Sequence, residues 1–418
     1  MKTIVASNVN NPIMVPPSIT MQYLGGKSRI VEKIMDAVGS HFPKQNNFLD
    51  LFSGSGVVSF SAMQRGYDVS ANDIQPYSYC FLSSLLSHKT DGLTCVIESL
   101  RGFQGQELFT GSRETFVKDY FTELTFFNSL EQKIFKWEDY REFCKNTDLV
   151  VGEKKEVQKL KKDAPWSLFL AYYRNTYFGV KQCAELDFLR QFSENLIGID
   201  KTHLLACVIS SMSYCVSSTT HLAQFLKPNS EKTSESLVKK RKLSLIDETI
   251  KRLEAISTSI HSKSANVFNL DFKESLNQIK LDSSFIVYAD PPYFKEHYSR
   301  YYHVLDTFTL YDFPSLTYNE RLDKTTVGRY REDRIISDFG KKAKVRQAFD
   351  SLIDTCMEAN CKLAVSYACS SILDQEYFHS LAEKKNLRVV IKEFNLKHTG
   401  QGQARHKEVT EFLYLISK

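Results

Sequence analysis

Asp290 to Tyr293, the residues DPPY, are the part of this sequence best equipped for chemistry. They follow the apolar run FIVYA, which is typical of a buried strand. Pro291 and Pro292 stiffen the backbone and lack N–H groups, so nearby carbonyl oxygens remain available as acceptors. Asp290 adds a carboxylate acceptor, and Tyr293 adds an aromatic face. We therefore predict a receptor for a planar group with an exocyclic amine; the alternative is a Pro-Pro turn that only ends the strand.

A glycine loop lies far upstream, in the segment DLFSGSGVVSF that begins at Asp50. Gly54 and Gly56 stand between a predicted strand and a predicted helix, where the backbone can approach a ligand and helix N–H groups face it. This indicates a nucleotide-like cofactor, although Gly-x-Gly alone also fits an incidental turn. The third glycine of the dinucleotide fingerprint is missing, which disfavours NAD. Asp73 ends the next predicted strand, where an acid in this kind of fold holds ribose hydroxyls.

The segment YLGGKSRI, from Tyr23 to Ile30, resembles the end of a phosphate-binding P-loop. A P-loop needs a glycine five residues before Gly26 and an apolar strand leading into the loop. That position is Met21, and the preceding NNPIMVPPSITMQ is polar and interrupted by prolines. The sequence therefore excludes a P-loop, and Lys27 needs another role.

The composition is that of an ordinary globular protein. The chain has 418 residues, with 42% hydrophobic and 25% charged, enough for two or three domains. Its net charge of +5 is compatible with a polyanion but does not by itself predict one. The nine cysteines show no zinc spacing, so we expect buried thiols in a reducing compartment and no metal site. No signal peptide or apolar run long enough to span a membrane is recognisable, so we expect a cytoplasmic protein.

Three regions are expected from the patterning. Residues 1–78 contain one βαβ unit, residues 79–264 are mostly helical and rich in lysine and arginine, and strand–loop alternation returns in residues 265–418. This predicts an α/β domain with a large helical insertion after its second strand. Within the insertion, KPNSEKTSES is expected to be a loop.

The order of these motifs resembles one family. Tyr-x-Gly-Gly-Lys, then Phe-x-Gly-x-Gly starting at Phe52, a long insertion, and Asp-Pro-Pro-Tyr resemble the Dam-like, D12-class adenine-N6 DNA methyltransferases. The resemblance covers residues 1–78 and 265–418 well and the insertion only in patches. It implies a Rossmann-like S-adenosylmethionine-dependent methyltransferase sheet with helices on both faces. It also implies that the helical insertion recognises the target in double-stranded DNA, and that the enzyme is a monomer.

The same resemblance assigns cofactor contacts. Lys27 would meet the methionine carboxylate of S-adenosylmethionine, and Tyr23 would line the same pocket. Asp271 would accept from the cofactor's adenine amine, and Phe272 would pack on its ring. Without the resemblance, Asp271 is simply a strand end with a helix cap. Asp50, Phe52, Gly54, Gly56 and Asp73 complete the expected cofactor site.

Three further segments combine aromatic residues with arginine, asparagine or histidine, as expected near unstacked bases and phosphates. They span residues 172–180, 218–225 and 297–314, and they also fit core aromatics with solvated polar neighbours. The expected DNA contacts in them are Arg174, Asn175, His221, Arg300, Tyr302 and His303.

The expected reaction is methylation of an adenine amine. Asp290 and the Pro291 carbonyl would each accept one N–H, restoring a lone pair on the nitrogen, and Tyr293 would stack on the flipped-out base. The alternatives are the same chemistry on RNA, N4-cytosine methylation, disfavoured by Asp290 where that subgroup has serine, and a non-catalytic DNA-binding module. The sequence leaves open the recognised site and whether a restriction endonuclease is paired with the enzyme.

Overall fold

The computed structural model of the chain describes residues 26–87, 92–103, 105–146, 154–218, 222–258, 264–292, 298–321, 324–368, 371–397 and 408–418. Three residues with expected roles, Tyr23, His221 and Tyr293, lie outside these ranges. No helix within the ranges is long and apolar enough to cross a membrane.

The strands of the described residues are β1 (Asn47–Asp50), β2 (Asp68–Asn72), β3 (Asn266–Phe268), β4 (Phe285–Ala289), β5 (Tyr318–Asn319), β6 (Lys324–Thr325), β7 (Lys362–Ala368), β8 (Arg388–Lys397) and β9 (Glu408–Ser417). The helices are α1 (Val31–His41), α2 (Val57–Gln64), α3 (Pro76–Leu85), α4 (Leu93–Arg101), α5 (Val117–Glu131), α6 (Trp137–Asn146), α7 (Lys154–Asp163), α8 (Leu168–Tyr172), α9 (Val180–Ser193), α10 (Gly198–Cys215), α11 (Glu231–Arg241), α12 (Leu245–Ser257), α13 (Phe272–Gln278), α14 (Tyr298–Leu310), α15 (Val345–Glu358) and α16 (Gln375–Lys384).

The main sheet of the described residues has seven strands in the order β3-β2-β1-β4-β7-β9-β8. Strands β1, β2, β3, β4 and β7 are parallel, whereas β9 runs antiparallel to both β7 and β8. Asp50 pairs with Ala71 on β2 and with Tyr288 on β4, so these three strands end at nearly the same level. Since the chain leaves β1 in one direction and returns at β4 on its other side, this edge is a topological switch point, where open α/β sheets bind ligands.

Helices cover both faces of the sheet because each presents an apolar stripe to it. On one face, Ile34 and Val38 of the amphipathic helix α1 are fully buried against β-strand side chains such as Phe48. On the other face, Phe349 and Leu352 of α15 are buried with residues of α13, α16 and the strands. The predicted α/β sheet with helices on both faces is confirmed.

A third apolar cluster joins the helices of residues 79–264. It also includes Tyr302, Leu305 and Phe308 of α14 and Phe313 just after it. These residues follow Asp290 in sequence but pack with the helical region. The proposed division at residues 78 and 264 stays a prediction, and the core shows that α14 shares the apolar interior of the inserted helices.

The segment KPNSEKTSES is not a loop throughout, so that expectation was wrong. Helix α11 begins within it, at Glu231. The hydroxyl of Ser230 caps the helix by accepting from the Thr233 amide at 3.3 Å. An N-terminal cap of this kind stabilises a helix by about 1 kcal/mol, which helps to offset the polar composition.

Candidate active site

A cavity opens at the carboxyl ends of β1, β2 and β4. Three carboxylates and one ammonium group are prominent in its lining. The described lining residues are Gly26, Lys27, Asp50, Phe52, Ser53, Ser55, Val57, Val58, Asp73, Ile74, Gln75, Tyr288, Asp290, Pro292 and Ser337. The parallel strands therefore bring together the GGK segment, the glycine loop and the first residues of DPPY, which are far apart in sequence.

Lys27 is bound between two carboxylates. Its Nζ lies 2.8 Å from Oδ2 of Asp290 and 3.2 Å from Oε1 of Glu411, which lies on β9. The Ser366 hydroxyl on β7 donates to the same Glu411 oxygen at 2.8 Å, which holds that carboxylate in place. Lys27 is 4% exposed and Glu411 2% exposed, so solvent screens these ion pairs little.

The electrostatics of this triad keep the lysine charged and perturb the aspartate. Burial lowers the pKa of Lys27, but the neighbouring Asp290 and Glu411 carboxylates together raise it by more. The pKa of Lys27 therefore lies above its ordinary value. Burial raises the pKa of Asp290 to about 6; Lys27 opposes this and Glu411 adds to it. Asp290 is therefore a carboxylate that titrates close to neutral pH, as groups at functional sites often do.

The two carboxylate oxygens of Asp50, the last residue of β1, differ in their hydrogen bonding. Its Oδ2 accepts a 2.6 Å hydrogen bond from Ser59, whereas Oδ1 is buried and has no hydrogen-bond partner among the described residues. Gln75 Oε1, in the same cavity, is in the same condition. Burial raises the pKa of Asp50 to about 7 despite the Ser59 bond. Buried acceptors of this kind are normally satisfied by a donor, so both oxygens fit a ligand with N–H or O–H groups.

Asp73 holds the glycine loop in position. Its Oδ2 accepts from the Gly54 amide and its Oδ1 from the Gln75 amide, each at 2.8 Å. Gly56, the residue immediately before α2, has a φ of +74°, and an added Cβ would lie 2.6 Å from a methyl group of Leu82. Glycine is required here both for the left-handed backbone and for close packing against α3.

Phe272 and Asp271 are not among the described residues that line the cavity. Phe272 is 3% exposed, and its ring packs 4.9 Å from Phe339 and 6.3 Å from the cavity-lining Phe52. Asp271 caps α13 by accepting from the Lys273 amide at 3.0 Å. The structure thus gives Asp271 the helix-cap role, and its expected contact with a cofactor stays a prediction.

Four of the expected DNA-contact residues are buried with protein partners. Arg174 pairs with Asp119 at 3.2 Å, and Asn175 accepts from the fully buried Arg241 at 3.3 Å. Tyr302 and His303 are each 0% exposed. Burial and three nearby arginines lower the pKa of His303 to about 3, so it is neutral. Their expected DNA contacts stay predictions, but these side chains have a structural role in this conformation.

Arg300, by contrast, belongs to a pair of arginines. The sequence predicted Arg300 as a DNA contact but not its partner, Arg334. Its guanidinium lies 5.1 Å from the centroid of the Tyr330 ring, and that of Arg334 lies 5.2 Å from the same centroid. Burial lowers the pKa of Arg334, with a further contribution from the charge of Arg300. Two like charges held on one ring favour an anionic ligand. The RYREDR segment around Arg334 was a sequence signal, but alternating charges of this kind are common on any surface.

Comparison with known proteins identifies the family. A family model described as D12 class N6 adenine-specific DNA methyltransferase matches residues 23–361, most of the chain. The chain is 21% identical over 409 residues to the Type II methyltransferase M.FokI of Planomicrobium okeanokoites, covering 95% of this chain and 53% of that protein. It is 26% identical over 373 residues to the modification methylase LlaI of Lactococcus lactis subsp. lactis, covering 87% and 49%.

A third relative is similar over nearly its full length. The Type II methyltransferase M.CviAII of Paramecium bursaria Chlorella virus 1 is 21% identical over 404 residues, covering 94% of this chain and 97% of that protein. The chain therefore spans about half the length of the first two relatives and almost all of the third. With a family match across most of its residues, this chain belongs to the D12 class N6 adenine-specific DNA methyltransferases.

Proposed function

We propose that the chain transfers a methyl group from S-adenosylmethionine to N6 of an adenine extruded from double-stranded DNA. The observation that carries the proposal is the position of Asp290. This carboxylate immediately follows the central strand β4, lines the same cavity as the glycine loop, and is ion-paired with Lys27 at 2.8 Å. The methyl-donor site and the amine receptor thus share one cavity, as a direct transfer requires.

The residues of the cavity fit S-adenosylmethionine by charge and hydrogen bonding. Among the described lining residues, Asp50, Asp73 and Asp290 outnumber the single ammonium of Lys27. The bound cofactor would supply an electrophilic methyl group on a positively charged sulfonium. Oδ1 of Asp50 would accept a hydrogen bond from the ammonium group of the cofactor. Lys27 would donate one N–H to the carboxylate of the cofactor while a second N–H stays bound to Glu411.

Asp290 would activate the target amine. In its ionised form it accepts an N–H of the adenine N6 group, and the carbonyl of Pro291 accepts the other. The nitrogen lone pair is then less delocalised into the ring, and the Asp290 carboxylate stabilises the positive charge that develops on nitrogen. After transfer, the extra proton leaves the nitrogen for Asp290, whose raised pKa suits it to hold that proton briefly.

Binding of the DNA would involve the cationic pair on Tyr330. Ser337, three residues after Arg334, lines the active-site cavity, so this pair is connected to the site by a short segment. Guanidinium groups at that position would hold phosphates next to the extruded nucleotide.

Two relatives are named as Type II methyltransferases and one as a modification methylase, which supports a role in a restriction–modification system with a cognate endonuclease.

The test uses cofactor with a tritiated methyl group and three acceptors: duplex DNA, single-stranded DNA and RNA. We expect label in duplex DNA, recovered as N6-methyladenine after digestion. Sequencing of the methylated DNA then gives the recognised site. Label in RNA alone would indicate the RNA enzyme, label as N4-methylcytosine would indicate the wrong base, and no label with intact DNA binding would indicate a binding module.

A further inference from the structure

A second cavity, of about 400 Å³, lies in the helical region. It is bounded by α6, by the turn before α9, by the segment after α10, and by β6 with its following turn. Its described lining residues are Arg141, Cys144, Lys145, Asn175, Thr176, Phe225, Lys227, Pro228, Asn229, Thr325, Thr326, Val327 and Arg329. None of these residues lines the active-site cavity, so the two sites are distinct, and the volume lies in the range of small-ligand sites.

The charge of this cavity is strongly one-sided. Its described lining has four cationic side chains and no aspartate or glutamate. Arg141, Lys145 and Lys227 are exposed, and Lys145 has one distant ion pair, 3.6 Å from Glu142 outside the lining. Arg329 is only 4% exposed, and burial lowers its pKa to about 10. A cavity so lined favours an anionic ligand.

The turn that carries Arg329 is held in place by several hydrogen bonds. The Thr326 amide donates to Thr317 O and the Arg329 amide donates to Thr326 O, each at 2.8 Å. The Tyr177 hydroxyl donates to Gly328 O at 3.0 Å, and the Arg329 guanidinium donates to the Tyr172 carbonyl. The cavity is therefore formed before any ligand binds, which lowers the cost of ordering it.

Two other features indicate what kind of anion would fit. The hydroxyl oxygen of Thr326 is buried and has no hydrogen-bond partner among the described residues, so it can bind a ligand. Phe225 and Val327 add apolar surface, and Val327 is 55% exposed although it is aliphatic. Cations, hydroxyls, an amide at Asn229 and an aromatic ring together suit a nucleotide better than a bare inorganic anion.

We propose that this second cavity binds one nucleotide of the DNA, with its phosphates on the exposed cations Arg141 and Lys227. The inference rests on the proposed function and adds an anchor point remote from the extruded adenine. Contacts of this kind fix where the helical region lies along the duplex, and thereby which adenine reaches Asp290.

The test compares Arg141→Ala/Lys227→Ala with the wild type and with Lys384→Ala, an exposed lysine at the end of α16. Affinity for a duplex carrying the sequence that the enzyme methylates is measured between about 50 and 300 mM salt. Over this range the Debye length shortens by roughly a factor of two. We expect at least about a tenfold loss for the double variant near 0.1 M salt and a salt slope shallower by about two, because two phosphate contacts are removed, with no change for Lys384→Ala. Cofactor binding and thermal unfolding should match the wild type in both variants.

Equal affinity and slope in the double variant would overturn the inference, provided that the wild type methylates DNA. A wild type that neither binds nor methylates DNA would instead overturn the proposed function. Inorganic phosphate and a deoxynucleoside monophosphate form a separate arm. If they bind the wild type and lose binding in the double variant while its DNA affinity is unchanged, the cavity serves a free anion and not DNA, which also contradicts the proposal.

Discussion

Lys27 and Asp290 are 263 residues apart in sequence, and Lys27 Nζ lies 2.9 Å from Oδ1 and 2.8 Å from Oδ2 of Asp290. The pair joins two motifs that are far apart in sequence, because the lysine of GGK holds the carboxylate of DPPY that we propose to be catalytic. Glu411 shares the lysine at 3.2 Å, so one buried and one partly buried carboxylate depend on one cation. This shared cation determines how the site should respond to pH and to substitution.

The rate of methyl transfer should depend on the ionisation of Asp290. Burial and Glu411 raise its pKa to about 6 against the effect of Lys27, and the protonated acid is a weaker acceptor without the negative charge that stabilises the reacting nitrogen. The rate should therefore rise as pH increases through about 6 and level off above it. Glu411→Gln removes a like charge, so the midpoint should move to lower pH. Single-turnover rates between pH 5 and 8 measure this.

Glu393→Gln, on the neighbouring strand β8, is the matched control because Glu393 is exposed. Its midpoint should equal that of the wild type. An unmoved midpoint in Glu411→Gln would show that Glu411 does not act on the ionisation of Asp290.

Lys27→Met should leave the buried Glu411 and the partly buried Asp290 without their shared cation. We expect a loss of about 3–5 kcal/mol in the free energy of unfolding at pH 7, measured with urea. The folded-state pKa of Asp290 would rise further above its unfolded value, so the variant should regain stability as pH falls toward 5. Lys33→Met, at an exposed position of α1, should be nearly neutral. A Lys27 variant equally destabilised at both pH values would argue against this electrostatic cause.

Gly56→Ala should weaken both the fold and cofactor binding. The position has a φ of +74°, and the new Cβ would lie 2.6 and 2.9 Å from methyl groups of Leu82 and Leu85. Left-handed strain and overpacking together should cost about 2–4 kcal/mol. Gly66→Ala has a φ of +91° but nothing within 4 Å, so it should cost about 1–2 kcal/mol and leave cofactor affinity intact. Urea unfolding and calorimetric titration measure the two effects, and equal behaviour of the two variants would contradict the account.

Arg334→Ala should impair DNA binding more than chemistry. Removing one guanidinium from the pair on Tyr330 should raise KM for DNA about tenfold and leave kcat and cofactor affinity nearly unchanged. Arg346→Ala is the control, because Arg346 also lies over a tyrosine, 5.0 Å from the Tyr377 ring centroid, but is on α15. Steady-state kinetics separate KM from kcat, and an unchanged KM in Arg334→Ala would remove this pair from the DNA interface.

The sequence predicted those parts of the site that local patterns encode. DPPY and the glycine loop each follow a short apolar strand, and parallel strands necessarily bring their carboxyl ends together. Glu411 could not be found in this way, because it reaches Lys27 only through the antiparallel insertion of β9 beside β7. That pairing depends on long-range topology and leaves no local signal.

The DNA contacts expected in the helical region show a different limit of prediction from sequence. An arginine or asparagine among aromatic residues has the same composition whether it faces DNA or the interior, and Arg174 and Asn175 are buried by contacts from remote helices. The start of α11 at Glu231 is hard to predict because the polar residues after the Ser230 cap also suit a loop.

The central claim is that Asp290 activates the target amine, and Asp290→Asn tests it most directly. This substitution keeps the side chain's size and removes its charge. Single-turnover transfer of labelled methyl to duplex DNA should fall at least about 100-fold, because a charge that stabilises the reacting nitrogen is lost. Cofactor affinity, measured on the same preparation, should stay within a few-fold of the wild type. A near-normal transfer rate in this variant would contradict the account.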